Sequence, residues 1–330
     1  IWTYKTQYAL YAGPSAQNNK IYLGDDSGLL HCLDAQTGKR LWTYQSENRI
    51  LGTPLAKDGV VVFGSADNNI YGLKSDNGKL IWKIETTDPV MGAPAIESGI
   101  AYIGGSDSQV RAIDIKTGKT IWTYNGVTGY IETKPLLYNG LVIVGAWDTN
   151  LYALDQKTGN LIWKWNNGHP RLHFSPAAVW PVGAQGKIFI TAPDRYMTAI
   201  DAKTGETVWR TNQSMVRETI GLSEDGLRVY SKTMQDSVVC YSTEGNVPQR
   251  LWATNVAYGY DHAASMPLEK DGTVFGSTKN GIIFAIEGKT GKLLWKHKVG
   301  NSVINTIIPI DKHSCIFTSG EGIVGKLKGK

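Results

Sequence analysis

The residues best suited to chemistry lie between residues 147 and 262, where arginines, a lysine and histidines alternate with tyrosine and tryptophan. Guanidinium groups bind carboxylates and phosphates through paired hydrogen bonds, and aromatic rings offer flat apolar surface. Such a set predicts a pocket for a small anionic ligand or a carbohydrate. The candidate ligand-binding residues are Trp147, His169, Arg171, His173, Asp194, Arg195, Tyr196, Arg217, Glu218, Lys232, Tyr260, Asp261 and His262.

The same groups could support proton transfer. His173 or His262, together with a tyrosine, could move a proton beside a carboxylate that an arginine neutralises, which is the chemistry of a lyase acting on acidic sugars. Nothing in the spacing fixes the distances between these groups, and the sequence has no Gly-x-Ser-x-Gly segment for a nucleophilic serine. We therefore name no catalytic residue and favour a noncatalytic site, with the lyase as an alternative.

Eight repeats must position these residues. Segments such as LDAQTGKRLW and LDQKTGNLIW recur along the whole chain, and YSTEGNVPQRLW is a degenerate copy. Each repeat contains short apolar runs broken by Gly, Asn and Asp, which predicts four antiparallel strands. The pattern predicts an all-β chain, an eight-bladed β-propeller that occupies residues 1–330 as one domain. The blade boundaries lie near Trp2, Trp42, Trp82, Trp122, Trp163, Trp209, Trp252 and Trp295.

The ends of the chain predict how the ring closes. Three strand-like runs follow Trp295 without a fourth, and residues 1–5 form a fourth strand without a first three. If the amino-terminal strand completes the last blade, no sheet edge is left free. In the Asp-x-x-Thr-Gly turns, such as Asp34–Gly38, glycine supplies the positive φ, and we expect the tryptophan that follows to pack between neighbouring blades.

The loops that lead into the first strands predict an asymmetric channel mouth. Blades one to three place apolar residues three positions before the strand, whereas blades four to six place charged ones. Asp67, Asp107 and Asp148 recur at one repeat position and are interpreted as turn residues. Polar groups that break a repeat on one side indicate a functional site at blades four to seven. Aligned on the proline of each first strand, or on Gly221 in blade six, the leading residues are Tyr11, Leu51, Met91, Glu132, His173, Glu218, Ala264 and Thr306.

Composition limits the partners. Thirty-four Lys and Arg oppose 29 Asp and Glu, a balance of +5, and the turn lysines recur around the ring, so we expect no nucleic-acid partner. Cys32, Cys240 and Cys315 lie in apolar runs without metal-ligand spacing, which predicts buried thiols and no metal site. No apolar run is long enough for a membrane span, and a monomer is expected.

Two segments carry a family resemblance. GSADNNIYGLKSDNGKLIW (64–82) and GAWDTNLYALDQKTGNLIW (145–163) resemble the repeat of the pyrroloquinoline-quinone-like (PQQ-like) propellers. That family includes quinone-dependent alcohol dehydrogenases, a propeller lipoprotein of outer-membrane barrel assembly, and propellers fused to metallophosphoesterases. The resemblance implies a periplasmic, cell-surface or secreted protein. Adjacent cysteines and long insertions are absent from the sequence, so PQQ with calcium is disfavoured and no cofactor is expected.

These observations predict a noncatalytic binding propeller that holds an anionic or carbohydrate ligand, or a partner protein, at the mouth of blades four to seven. The alternatives are a protein scaffold in outer-membrane assembly, a lyase or quinone-dependent dehydrogenase, and an accessory domain of an upstream metallophosphoesterase. The chain begins within a repeat, and we expect that whatever preceded it in the gene product, such as a signal peptide, a lipid anchor or a whole domain, has been cut away.

Overall fold

The computed structural model describes residues 2–329. These residues form eight antiparallel sheets of four strands each. The first strands are β2 (Ser15–Gln17), β6 (Leu55–Lys57), β10 (Ala95–Glu97), β14 (Leu136–Tyr138), β18 (Val182–Ala184), β22 (Gly221–Leu222), β26 (Leu268–Lys270) and β30 (Ile308–Asp311). The second strands are β3 (Lys20–Gly24), β7 (Val60–Ser65), β11 (Ile100–Gly104), β15 (Leu141–Gly145), β19 (Lys187–Thr191), β23 (Arg228–Lys232), β27 (Thr273–Ser277) and β31 (Ser314–Thr318).

The third and fourth strands complete each sheet. The third strands are β4 (Leu29–Asp34), β8 (Asn69–Lys74), β12 (Val110–Asp114), β16 (Asn150–Asp155), β20 (Met197–Asp201), β24 (Gln235–Ser242), β28 (Ile282–Glu287) and β32 (Ile323–Lys328). The fourth strands are β5 (Arg40–Gln45), β9 (Leu80–Glu85), β13 (Thr120–Tyr124), β17 (Leu161–Asn166), β21 (Thr207–Thr211), β25 (Arg250–Tyr260), β29 (Leu293–Lys298) and β1 (Trp2–Lys5). Two short 3-10 turns, Leu172–Phe174 and Pro176–Ala178, lie outside the sheets. No helix among residues 2–329 has the length and apolar character to cross a membrane.

The apolar pattern follows the position of a strand in its blade. Middle strands such as β7 are buried along their whole length because neighbouring blades cover both faces. The outer strand β9 alternates between exposed and partly or fully buried residues, because only one of its faces packs inward. First strands of successive blades contact one another around a central axis. The eight-bladed propeller predicted from the repeats is therefore confirmed.

The repeated tryptophan joins one blade to the next. Trp82 Nε1 donates to the carbonyl of Ile115, 2.7 Å away in the next blade, and its ring lies on the turn glycine Gly118. Gly118 has φ +73°, and a Cβ there would come within 2.6 Å of the indole. The turn and the docking role of the tryptophan are confirmed, since glycine serves both the positive φ and the close approach.

The ring closes through the amino-terminal strand, as predicted. β1 pairs with β32 in four residue pairs, from Trp2 opposite Lys326 to Lys5 opposite Ile323; Ile1 lies outside the described residues. Tyr4 Oη donates to His31 Nδ1 at 3.2 Å, and His31 Nε2 donates to Asp25 Oδ2 at 2.9 Å. This buried chain of hydrogen bonds ties the closing strand to blade one.

Two faces follow from this topology. The mouth face carries the leading loops before the first strands and the turns between second and third strands. The hairpin face carries the turns between first and second and between third and fourth strands. On the mouth face, the amide of Trp147 in a second turn donates to the carbonyl of Tyr130 in a leading loop at 3.0 Å. The loops that the sequence assigned to one mouth thus meet there.

Candidate functional site

A cavity of about 380 Å³ opens at the centre of the mouth face. Its rim includes the leading residues Tyr11, Leu51, Met91 and Glu132, and Trp180 forms part of the wall. The apolar leading residues of blades one to three therefore do lie at the mouth. None of the thirteen candidate residues, all of which lie in the described part of the chain, lines this cavity.

The register of blade five explains why His173 does not line this cavity. Val182 pairs with Phe189 as Leu55 pairs with Val62, so the proline that precedes the first strand is Pro181. The sequence alignment used Pro176, five residues earlier, and giving His173 the leading position of blade five was wrong. The two 3-10 turns lengthen this loop and carry His173 outward.

Two further leading residues need the same correction. Gly221 pairs with Tyr230, and Ile308 pairs with Ile316. Gly221 and Ile308 are therefore the first residues of their strands. The register therefore puts Arg217 in place of Glu218 in blade six, and Ile304 in place of Thr306 in blade eight.

The loop of blade five forms an exposed aromatic cluster. The rings of His169 and His173 lie 4.2 and 4.1 Å from that of Phe174, centroid to centroid. Arg171 and Leu172 are exposed beside them. The structure thus gathers the predicted residues His169, Arg171 and His173, but around an apolar ring on the outer rim and away from the central cavity.

Asp194 and Tyr196 belong to an internal network. Arg210, on β21, donates to Asp194 Oδ2 at 2.5 Å and lies over the ring of Tyr196 at 4.4 Å. Asn167 also donates to Asp194, at 3.0 Å, which ties the leading loop of blade five to this turn. Arg210 was missed because the sequence suggested only loop residues as candidates, and Arg210 lies in a strand; a charge next to the repeated tryptophan was the available signal.

Lys232 and Asp261 form a buried pair. Lys232 Nζ lies 3.4 Å from Asp261 Oδ2 and donates to Ser265 Oγ, Ala263 O and Ser277 O at 2.7–3.1 Å. Burial lowers the pKa of Lys232, and Asp261 opposes that shift. Because four oxygens already surround the ammonium, neither residue can reach a ligand. The interpretation of these two as ligand-binding groups is therefore corrected to a structural role between blades six and seven.

Arg217 and Glu218 also face each other. Arg217 Nη2 donates to Glu218 Oε1 at 3.3 Å, and Glu218 is buried. Arg217 Nε is buried without a hydrogen-bond partner in the described residues. In blade four, Trp147 Nε1 donates to Glu132 Oε2 at 2.9 Å, which fixes the one carboxylate on the rim of the central cavity.

A second cavity, of about 480 Å³, lies on the mouth face between blades five and six. Arg195, Arg250 and Tyr260 line it together with Met215 and Met234. Of the candidate residues, this cavity unites Arg195 and Tyr260. It is a shallow groove with two guanidinium groups, a phenol and two thioethers, which suits a peptide-like surface more than a small polar substrate.

His262 lies at the edge of that groove. Its ring centroid is 5.6 Å from that of Tyr260. Lys279 Nζ lies 4.8 Å from the centroid of the Tyr260 ring. No hydrogen bond joins His262 or His173 to a carboxylate or hydroxyl group within residues 2–329. The arrangement can bind through rings and cations, and it holds no general base next to an acid.

The fold is an eight-bladed propeller, and its mouth face exposes aromatic, methionine and arginine side chains on blades four to seven. A family model described as "Outer membrane protein assembly factor BamB" matches residues 1–127, 125–297 and 248–325. The chain therefore belongs to this family of PQQ-like propellers. No curated protein matches the chain by sequence.

Solved structures agree on the fold. BamB from Moraxella catarrhalis is similar over 100% of this chain and 97% of that chain, with a TM-score of 0.79 and 18% identity. Quinohemoprotein alcohol dehydrogenase from Comamonas testosteroni is similar over 100% of this chain and 76% of its own, with a TM-score of 0.80 and 14% identity. The computationally designed Ika8 protein is similar over 98% of this chain and 97% of that chain, with a TM-score of 0.83 and 19% identity. At these identities the likeness shows the fold alone.

The residues present do not fit a calcium and quinone site. Within residues 2–329, no three His, Cys, Asp or Glu side chains come together in a way that could hold a metal ion. Cys32, Cys240 and Cys315 are single buried thiols in different blades, and burial raises the pKa of each. No adjacent pair of cysteines is available to face a planar ring, so we assign no step to such a cofactor.

Proposed function

We propose that this chain is a noncatalytic propeller that binds a partner protein through the mouth face of blades four to seven. One observation carries the proposal: large apolar side chains are exposed on the mouth face, four of them on blades four to seven and two, Tyr8 and Tyr11, on blade one. Each is at least 42% exposed, and those on blades four to seven are Tyr130, Leu172, Met215 and Tyr260. Aromatic residues and methionine with arginine are enriched in protein interfaces, and several such side chains on one face form an exposed patch.

The charge of this surface indicates the chemistry of the partner. The candidate carboxylates Asp194, Glu218 and Asp261 are all engaged in internal pairs. Arg171 and Arg195 are exposed and form no ion pair in the described part of the chain. Among the candidate residues, the charges left for a partner are therefore positive, and we infer that the partner presents an acidic surface with apolar side chains.

Family membership supports a place for this docking. The family is described as an outer membrane protein assembly factor, and we propose an extracytoplasmic protein that holds a component of such an assembly. The geometry favours binding over a sugar lyase, because His173 and His262 lie against the rings of Phe174 and Tyr260 and, within residues 2–329, neither is hydrogen-bonded to an acid or base.

Photo-crosslinking in cells that produce the chain tests the proposal. A benzophenone side chain replaces Tyr260 or Leu172 on the mouth face, or Val247, which is 70% exposed in the turn between the third and fourth strands of blade six, on the hairpin face. We expect both mouth positions to capture the same protein, with an acidic surface, and Val247 to capture none of it. Arg171→Glu with Arg195→Glu should weaken capture at least tenfold, and raised salt should do the same, whereas the exposed control Arg40→Glu should not. Equal capture at Val247, or capture that ignores the charge reversal, would show the proposal to be wrong.

A further inference from the structure

A third cavity, of about 430 Å³, forms a chamber along the propeller axis beneath the central mouth. Its walls come from the first strands, with Leu55, Ile96, Leu136, Val182, Leu222 and Leu268 among the lining residues. Trp180 lines both this chamber and the mouth cavity, and so stands between them. The lining continues to Glu97, an exposed residue at the hairpin-face end of β10.

Two bulky side chains enter this channel from adjacent blades. Lys134 and Trp180 both directly precede the proline of a first strand. At the same position the register gives Met266 in blade seven and small residues in the other five blades, namely Gly13, Thr53, Ala93, Thr219 and Thr306. The channel would be wider without Lys134 and Trp180, so this pair is a specific departure from the repeat.

Lys134 has no compensating partner. Its ammonium lies 5.9 Å from the centroid of the Trp180 ring, and no carboxylate of residues 2–329 lies within ion-pair distance of it. No hydrogen bond from Nζ to a described residue is formed either, in contrast to the four oxygens around Lys232. Burial lowers the pKa of Lys134. The Lys134 side chain is only partly exposed to the channel, so its cation is incompletely hydrated, and a ring face 5.9 Å away offsets only part of that cost.

The neighbouring residue repeats the pattern. Thr133 Oγ1 is buried without a hydrogen-bond partner, and Thr133 lines the mouth cavity on the other side of Trp180. Buried polar groups in proteins are nearly always satisfied, so the unpaired Thr133 hydroxyl next to the partly exposed Lys134 ammonium favours a ligand in this part of the channel.

We propose that the chamber binds a small monocarboxylate with an apolar tail. The carboxylate pairs with the Lys134 ammonium, and the tail lies against the leucine and isoleucine side chains beneath Trp180. The volume is in the range of small-molecule sites, and a neutral apolar ligand would leave the cation unpaired. This site is separate from the docking surface proposed on the mouth face of blades four to seven, and does not depend on it.

Calorimetric titration with hexanoate tests the site, with hexan-1-ol as the uncharged probe of equal chain length. We expect hexanoate to bind and hexan-1-ol to bind at least tenfold more weakly. Lys134→Met should weaken hexanoate binding at least tenfold while the protein stays folded, because the substitution removes an unpaired charge from an apolar wall. Lys116→Met, at an exposed turn of blade three, is the matched control and should bind as the wild type does.

The pH dependence separates Lys134 from a surface lysine. Hexanoate binding should fall as pH rises through the lowered pKa of Lys134, below the ordinary lysine value of 10.5. If Lys134→Met fails to fold, Lys134→Gln and this pH profile of the wild type still decide the matter. Failure of hexanoate to bind, equal affinity in the Lys134 variants, or binding that persists unchanged to pH 10.5 would each overturn the proposal. Partner capture by the docking surface should be unaffected by Lys134→Met, so the two proposals fail separately.

Discussion

The charged groups inside this propeller differ in what surrounds them. Lys232 is enclosed by Asp261 and three further oxygens, and Asp194 is held by Arg210. Among the described residues, the ammonium of the partly exposed Lys134 contacts only an indole ring. The first two sites are complete within the described chain, and so their charges serve the junctions between blades. The same residue type therefore has a structural role in one blade and is left available for a ligand in another.

Replacement of Lys232 by methionine should destabilise the protein. The substitution leaves the Asp261 carboxylate buried and unpaired, and such a loss costs about 3–5 kcal/mol of unfolding free energy. Denaturant unfolding measures the change, with Lys157→Met at an exposed turn as the control. Adding Asp261→Asn should recover part of the loss, since the remaining charge is removed. A Lys232→Met protein as stable as the wild type would contradict the structural role.

The residue types of the candidate site could be predicted from the sequence, but their partners could not. Arg195 and Tyr260 do share a groove, because both break the repeat on the mouth face. Asp194 was expected at a ligand, yet its partner Arg210 lies 16 residues further along, in a strand. Repeat patterns show where a side chain departs from its equivalents. They carry no information on which group from another strand will neutralise it.

At the scale of the strand and turn, the repeat predicts the docking of one blade on the next. Trp163 Nε1 donates to the Ala202 carbonyl at 2.9 Å, and its ring lies on Gly205. Trp209 meets the degenerate blade six instead, where its Nε1 is buried without a hydrogen-bond partner in the described residues. Its ring lies 6.3 Å from that of Tyr241, centroid to centroid. The altered turn of YSTEGNVPQRLW thus replaces a hydrogen bond with ring contact.

The two tryptophans therefore give a matched comparison. Trp163→Phe removes a donor and leaves the Ala202 carbonyl unpaired, whereas Trp209→Phe removes an indole N–H that has no partner. We expect Trp163→Phe to cost about 1–3 kcal/mol more than Trp209→Phe in denaturant unfolding, because both lose similar ring area. Equal losses would mean that the hydrogen bond between blades contributes nothing, and a larger loss for Trp209 would reverse the assignment.

The repeat pattern could not predict the length of the loop that leads into blade five. Blade five contains two prolines, Pro176 and Pro181, that are both plausible starts of the first strand in sequence. Only the pairing of Val182 with Phe189 selects the second. The choice depends on how the intervening residues fold into two 3-10 turns, which no periodicity encodes.

The whole ring, in contrast, is determined by counting. Eight tryptophans with regular spacing require eight blades, and a chain that begins with a fourth strand and ends with a third can close only by pairing the two. The central channel could not be predicted in the same way, because its chamber depends on which side chains from different blades meet at the axis. Lys134 and Trp180 are 46 residues apart in the sequence and adjacent in the channel.

Closure by β1 should control the stability of the entire molecule. A variant that lacks residues 1–5 loses four residue pairs with β32, and it also loses the hydrogen bond from Tyr4 to His31. We expect its unfolding free energy to fall by about 3 kcal/mol or more, the cost of removing one packed tryptophan such as Trp2. The exposed edge of β32 should also promote association between molecules.

A synthetic peptide of residues 1–8 provides the control for this deletion. If β1 acts as a strand that completes blade eight, the peptide added in excess should raise the melting temperature and reverse the association, because binding to the folded state stabilises it by mass action. The same peptide with Tyr4→Pro should fail, since proline cannot donate a backbone hydrogen bond within the ladder. A truncated ring that melts like the full chain, or ignores the peptide, would mean that the seven complete blades hold the eighth in place without the closing strand.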